Sequence, residues 1–187
     1  MLNLNKLNRA DAIRYICQFT IINLSSKERE EILLNYIDLD ENDVEFYFIS
    51  EDVKLNLIKD YESIDYEDKK YDSLILEYLI SSYKGILNSY ILNKLHQINI
   101  NCLEIIGLEE NLRSCPCCAY KTLDSNGEYD VCKVCFWEDD GNNDPLIYSN
   151  VNKITLGDAQ SNFIEIGAYD KKALFLLEKN IIDKYAR

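Results

Sequence analysis

Two cysteine pairs constrain this chain more than any other feature. Cys115 and Cys118 form one C-x2-C step, Cys132 and Cys135 form a second, and thirteen residues separate them. Each step turns two sulfurs toward one point. Two steps at this spacing predict a small β hairpin unit, a zinc ribbon, with four thiolates around one ion. Four protein ligands leave no position for water, so the expected cofactor is a structural Zn2+. Iron suits the same ligands, and Cys132 with Cys135 alone could act as a redox dithiol. The matching upstream pair favours a metal. Cys117 is left over by the pairing. Pro116 stiffens the first knuckle by fixing φ, and Arg113, Lys121 and Lys133 are candidates to offset the negative charge of the sulfurs.

The seven cysteines are expected to be reduced. The opening residues alternate Leu with Asn and Lys and lack the apolar run of an export signal, so the expected compartment is the cytoplasm. No stretch approaches the length of a membrane span. With 6 Gly and 2 Pro in 187 residues, the composition favours helices over a turn-rich β architecture.

Helix signals recur along the first 100 residues. Asn8 and Asp11 precede the stripe Ala12, Ile13, Ile16 and Cys17. Ser25 and Glu28 form a capping box before Ile32, Leu33, Tyr36 and Ile37. Ser50 is placed to cap a short helix with Val53, Leu57 and Ile58. Asp72 opens a pattern of Leu74, Ile75, Tyr78 and Leu79, with Gly85 as terminator. Asn88 starts another, with Ile91, Leu92 and Leu95 facing inward. The run Cys102 to Gly107 fits a strand or a helix end equally well.

The ribbon is expected over 113–140, turning at Ser125-Asn126-Gly127. The acids Glu138, Asp139, Asp140 and Asp144 lack the ligand order of a calcium loop and read as a solvated loop. Thr155 and Asp158 cap a helix with Phe163, Ile164 and Ile166, ended by Gly167. A last helix is expected from Asp170 to Tyr185, burying Leu174, Leu177, Ile181 and Ile182. The fold class is therefore mainly α: a helical region at 1–110, then a ribbon domain at 111–187 with two C-terminal helices.

The net charge is 20 − 33 = −13. Phosphate binding needs clustered Lys and Arg, so direct nucleic-acid binding is not expected. Residues 38–68 hold 12 acids against Lys54 and Lys59, a net of 2 − 12 = −10. Phe46, Tyr47, Phe48, Tyr61 and Tyr66 interleave with them. Acids mixed with aromatics suit a protein-binding surface that meets a basic partner. The expected contact residues are Asp38, Asp40, Glu41, Asp43, Glu45, Glu51 and Asp52.

Cys17 and Cys102 lie on apolar patterns and read as core thiols. His96, the single histidine, stands outside any zinc-enzyme motif and reads as a capping or surface residue. No phosphate-binding glycine loop is present. No catalytic residue is assigned, and the chain is expected not to be an enzyme.

The segment from Cys115 to about Asp170 resembles the cysteine-rich CPCC family of bacterial proteins. The resemblance is carried by Cys115-Pro-Cys-Cys118, Tyr120 to Leu123, Gly127 to Asp130, Cys132 to Gly141, Asp144-Pro145 and the Leu156 to Gly167 helix with Asn162-Phe163. Members look like zinc-ribbon proteins, and many resemble immunity proteins of bacterial toxin systems. The resemblance implies that this chain binds and neutralises a cognate toxin domain. An acidic immunity protein would complement a basic nuclease toxin. The competing readings are a thiol- or redox-active protein using Cys117 or the knuckle thiols, and an adaptor ribbon.

Overall fold

The computed structural model describes residues 2–36, 49–50, 53–54 and 64–187. The proposed contact residues Asp38, Asp40, Glu41, Asp43, Glu45, Glu51 and Asp52 lie outside the described residues, as do Ile37, Leu57 and Ile58. The chain divides into two compact units. One comprises Met1–Lys84 with Leu92–Ile106, and the other Gly85–Ile91 with Gly107–Arg187.

In the first unit, strand β1 (Leu2–Asn8) runs parallel to β2 (Ile100–Ile106), with Leu2 opposite Ile100 and Asn8 opposite Ile106. Parallel strands need a long crossover, and here the intervening helices supply it. The opening Leu/Asn alternation is thus a strand, which the helix-oriented sequence reading passed over. Its partner lies almost a hundred residues away, beyond the reach of local pattern. The ambiguous run after Asn101 resolves as the other strand.

Helix α1 (Arg9–Asn23) starts where the Asn8 side chain accepts from the Ala10 N–H. Its buried face carries Ala12, Ile13, Ile16 and Cys17 as the spacing predicts, and adds Arg9. Helix α2 (Ser26–Leu34) opens on the full capping box of Ser25 and Glu28, which satisfies two N-terminal N–H groups reciprocally. A 3-10 turn (Lys69–Tyr71) leads into α3 (Asp72–Ser81). The core here is Ile32, Leu33, Ile49, Val53, Tyr71 and Ile75. Each fully buried aliphatic side chain in it contributes roughly 1.5–3 kcal/mol.

Arg29 is buried against this core. Its guanidinium donates to the carbonyls of Tyr66 and Asp68 and pairs with Asp72 at 2.7 Å. One cation thereby ties α2 to the backbone that leads into α3. Helix α4 (Asn88–Gln97) buries Ile91 and Leu95, whereas Leu92 is half-buried. His96 follows the role expected of it: Nε2 donates to the Cys102 carbonyl at 2.7 Å.

The second unit is built from short pieces. Strands β3 (Arg113–Ser114) and β4 (Lys121–Leu123) form one hairpin, and β5 (Tyr148–Ser149) and β6 (Ile154–Thr155) another. Helix α5 (Leu156–Ile166) has its Thr155 cap and ends at Gly167, whose φ of 79° is the left-handed stop that glycine allows. Ile164 does not face the core; it is 83% exposed.

The expected second C-terminal helix does not form. Residues Lys171–Leu176 and Ile181–Lys184 make two separate 3-10 turns. Leu177 is extended and Asn180 is left-handed, which breaks any continuous α ladder between them. Leu174 and Ile182 are partly exposed, at 41% and 48%, while Ile181 and Tyr185 are buried. From the end of the second turn the chain pairs instead: Leu87 N–H donates to the Lys184 carbonyl, and Lys121 N–H donates to that of Ala186. The chain end is thereby stitched alongside β4.

Candidate metal centre

The two knuckles have one geometry repeated seventeen positions apart (132 − 115 = 17). Ala119 N–H donates to the Cys115 carbonyl, and Phe136 N–H to the Cys132 carbonyl. Cys115 N–H donates to the Tyr120 carbonyl, and Cys132 N–H to that of Trp137. Ala119 and Phe136 both sit at φ 66°. This left-handed step folds each C-x2-C back on itself and aims its two sulfurs one way.

The result is a buried cluster of Cys115, Cys118, Cys132 and Cys135, with all four sulfurs within 4.8 Å of one another. Cys115 and Cys135 sulfurs are 3.7 Å apart, and Cys118 and Cys132 sulfurs 3.5 Å. Tetrahedral zinc with Zn–S bonds of about 2.3 Å sets sulfurs about 3.8 Å apart. The spacing therefore fits one tetrahedral ion, and it is far too long for disulfide bonds. The four cysteines form a metal-binding cluster with a structural role.

The thiols also need an ion electrostatically. At Cys118, the hydrogen bond with Cys115 leads the causes that push its pKa well up. Burial does the same at Cys135, reinforced by its sulfur neighbours. At Cys132 burial pushes upward, but hydrogen bonds from Cys115, Cys118 and Cys135 prevail and hold the thiol well below its ordinary value. The same sulfur accepts from the Thr122 hydroxyl at 3.0 Å and the Val134 N–H at 3.4 Å. A divalent soft cation is what allows the remaining thiols to ionise in this buried setting.

Residues 113–180 match the family model Cysteine-rich CPCC. No curated protein and no solved structure matches the chain.

Around the cluster, the CPCC segment is braced by residues that spacing alone does not reveal. Gln160 on α5 donates to the Pro116 carbonyl in the first knuckle. Asn162 donates to the Tyr169 carbonyl, and Tyr169 N–H donates to the Cys135 carbonyl in the second. Trp137 is fully buried and stacks edge-on to Tyr169 at 6.1 Å. One helix therefore braces both knuckles.

The acidic run after Trp137 is a structural part of this unit, not the solvated loop expected of it. Asp139 is 2% exposed, and its carboxylate accepts from Gly127 and Gly141 N–H groups. Those glycines meet face to face: a Cβ on either would lie 3.1 Å from the Cα of the other. Asp130 accepts from the N–H groups of Asp124 and Ser125, fixing the turn between the knuckles. Asn152, also buried, accepts from Glu138 N–H and donates to Glu138 C=O, as a neighbouring strand would.

Of the cations proposed to offset the sulfurs, Arg113 donates to the Asn126 side-chain oxygen, and Lys121 and Lys133 are exposed. Donors to the Cys132 sulfur include the Thr122 hydroxyl and the Val134 N–H. Cys117 is buried beside the ligands, and Cys17 and Cys102 are buried in the first unit. Among the described residues, no helix is long and apolar enough to cross a membrane.

Proposed function

We propose that this chain is an immunity protein that binds and neutralises a cognate toxin domain, with a structural Zn2+ in the ribbon. The observation that carries this reading is the closed tetrathiolate cluster. Four buried protein ligands leave a bound ion no open position, so the metal would organise a fold and the function would lie in binding. The charge of −13 suits a basic partner, such as a nuclease toxin, through steering and complementarity. The resemblance of the CPCC segment to immunity proteins points the same way.

The reading as a thiol enzyme has less support. Its nucleophile would be Cys117, which is 7% exposed. Brisk labelling of Cys117 in zinc-loaded protein at neutral pH would favour it.

The immunity reading is tested by co-purifying the tagged chain with the product of the directly upstream gene, scored for complex formation and for loss of toxicity. A tight, protective complex is the expected result. Absence of both removes the reading and leaves a metal-stabilised binding module of another kind.

A further inference from the structure

Asn126-Gly127 is the one Asn-Gly step in the chain, and Asn126 is exposed. Such a step carries its own chemistry. Glycine has no side chain to shield its nitrogen, so that nitrogen can approach the neighbouring side-chain amide closely. On losing its proton to solvent it bonds to Asn126 Cγ, and the side-chain nitrogen leaves as ammonia. Water then opens the five-membered imide at either carbonyl. One water enters and one ammonia departs, leaving aspartate or isoaspartate at position 126. In isoaspartate the main chain runs through the former side chain and is one carbon longer.

The fold holds both reacting groups. Gly127 N–H donates to Asp139 Oδ2 at 3.0 Å, and Asp139 is buried. An anion on that nitrogen would stand beside a carboxylate, and like charge disfavours it. Arg113 donates to Asn126 Oδ1 at 3.1 Å, tethering the amide that has to be attacked. On the upstream side, Asp130 Oδ2 accepts from the N–H groups of Asp124 and Ser125 and from the Ser125 hydroxyl. Ring closure at Asn126 has to work against all of these bonds.

The bonds are laced to the second knuckle. Tyr129 N–H donates to the Asp139 carbonyl, Asp139 N–H to that of Asp130, and Cys132 N–H to that of Trp137. Val131 and Glu138 form a bridge between them. Asp139 is therefore carried by the two segments that enter and leave the knuckle of Cys132 and Cys135. An ion joining all four sulfurs would supply folding free energy to the unit around them, these segments included.

We propose that Asn126 is a deamidation site, which the metal-loaded unit keeps closed and metal loss opens. The change runs one way. Gly127 and Gly141 pack so closely that a Cβ on Gly127 would lie 3.1 Å from Gly141 Cα. An extra main-chain carbon in the preceding residue displaces that contact, so the isoaspartyl chain rebinds metal more weakly.

The test follows Asn126 by mass spectrometry in the full-length chain at neutral pH, reading the mass gained when NH2 becomes OH. Zinc-loaded protein is compared with the same protein held in chelator. A hydrogen bond to a charged group has to break first, so the loaded chain should react about tenfold more slowly, or slower still. Zinc-loaded Asp139→Asn should react several-fold faster than zinc-loaded wild type. The Gly127 amide of loaded wild type should exchange its hydrogen slowly.

Equal rates in loaded and chelated protein overturn the inference. So does a faster rate in the loaded chain, which would make Asp139 the base that starts the reaction. Asp139→Asn that keeps its zinc and reacts at the wild-type rate overturns it too. If that variant loses its metal, the amide exchange decides: fast exchange at Gly127 means that the nitrogen is not held, and the proposal fails.

Discussion

The Thr122 hydroxyl donates to Cys132 Sγ across 3.0 Å, from a side chain that is itself buried. Hydrogen bonds from the other cluster cysteines hold the Cys132 thiol below its ordinary value. The β4 residue therefore offers a donor to one ligand sulfur. Groups that orient and stabilise metal ligands commonly alter affinity 10–100-fold when removed. Thr122→Val keeps the shape and deletes the donor, so zinc affinity in a competitive chelator titration should fall about tenfold or more. Thr122→Ser should retain most of it. Equal affinities for all three proteins would show that the hydroxyl does not act on the sulfur.

Ala119 occupies a left-handed position at φ 66° that an L-residue adopts at a cost of roughly 1–2 kcal/mol. Its methyl group is exposed, so glycine loses little packing. Glycine also makes the unfolded chain more flexible, which offsets part of the gain. Ala119→Gly should raise stability by up to about 1 kcal/mol in urea unfolding. Phe136→Gly, at the equivalent knuckle position, should destabilise because a half-buried ring is lost as well. A lower midpoint for Ala119→Gly would contradict the strain argument.

Asn152 replaces a missing strand by bonding both backbone groups of Glu138. Asn152→Leu leaves those groups unpaired in a partly buried setting, and each orphan costs about 1–3 kcal/mol. The urea midpoint followed by the single tryptophan, Trp137, should fall clearly. An unchanged midpoint would mean that solvent satisfies Glu138 equally well.

Cys17 gives the first unit an alkaline weakness. Burial raises its pKa from an ordinary 9.0 to about 12, with Arg14 lowering and Glu77 raising it further. An acid with a raised folded pKa favours the fold while neutral. That contribution is complete below pH 9 and is lost as pH rises toward 12, because the unfolded chain ionises first. Cys17→Ala should flatten the fall in stability between those pH values, even if it lowers stability overall. In wild type, Cys17 should resist thiol reagents at neutral pH after chelation exposes the cluster. Rapid labelling of Cys17 in the folded chain would refute its burial as a neutral thiol.

What could be read from sequence was local. The C-x2-C steps identify the four ligands because their geometry is complete within a few residues. Asn8, Ser25 with Glu28, Thr155 and Gly167 mark helix ends for the same reason. What escaped depends on distant partners. Strand β1 needs β2, and Thr122 gains its role only because β4 passes beside the second knuckle. Asp139 resembles any surface acid until two glycines close over it. Leu174 and Ile182 match a helical stripe, but extended Leu177 and left-handed Asn180 split their stretch into two 3-10 turns. Asp38, Asp40, Glu41, Asp43, Glu45, Glu51 and Asp52, selected on composition, lie outside the described residues.

The central claim is that four sulfurs, and nothing else, close around one ion. X-ray absorption at the zinc edge of the purified protein tests it most directly. One zinc per chain in a single shell of four sulfurs at about 2.3 Å is the expected result. An oxygen or nitrogen atom in that shell would mean an open or differently built site, and would contradict the claim that the metal is only structural.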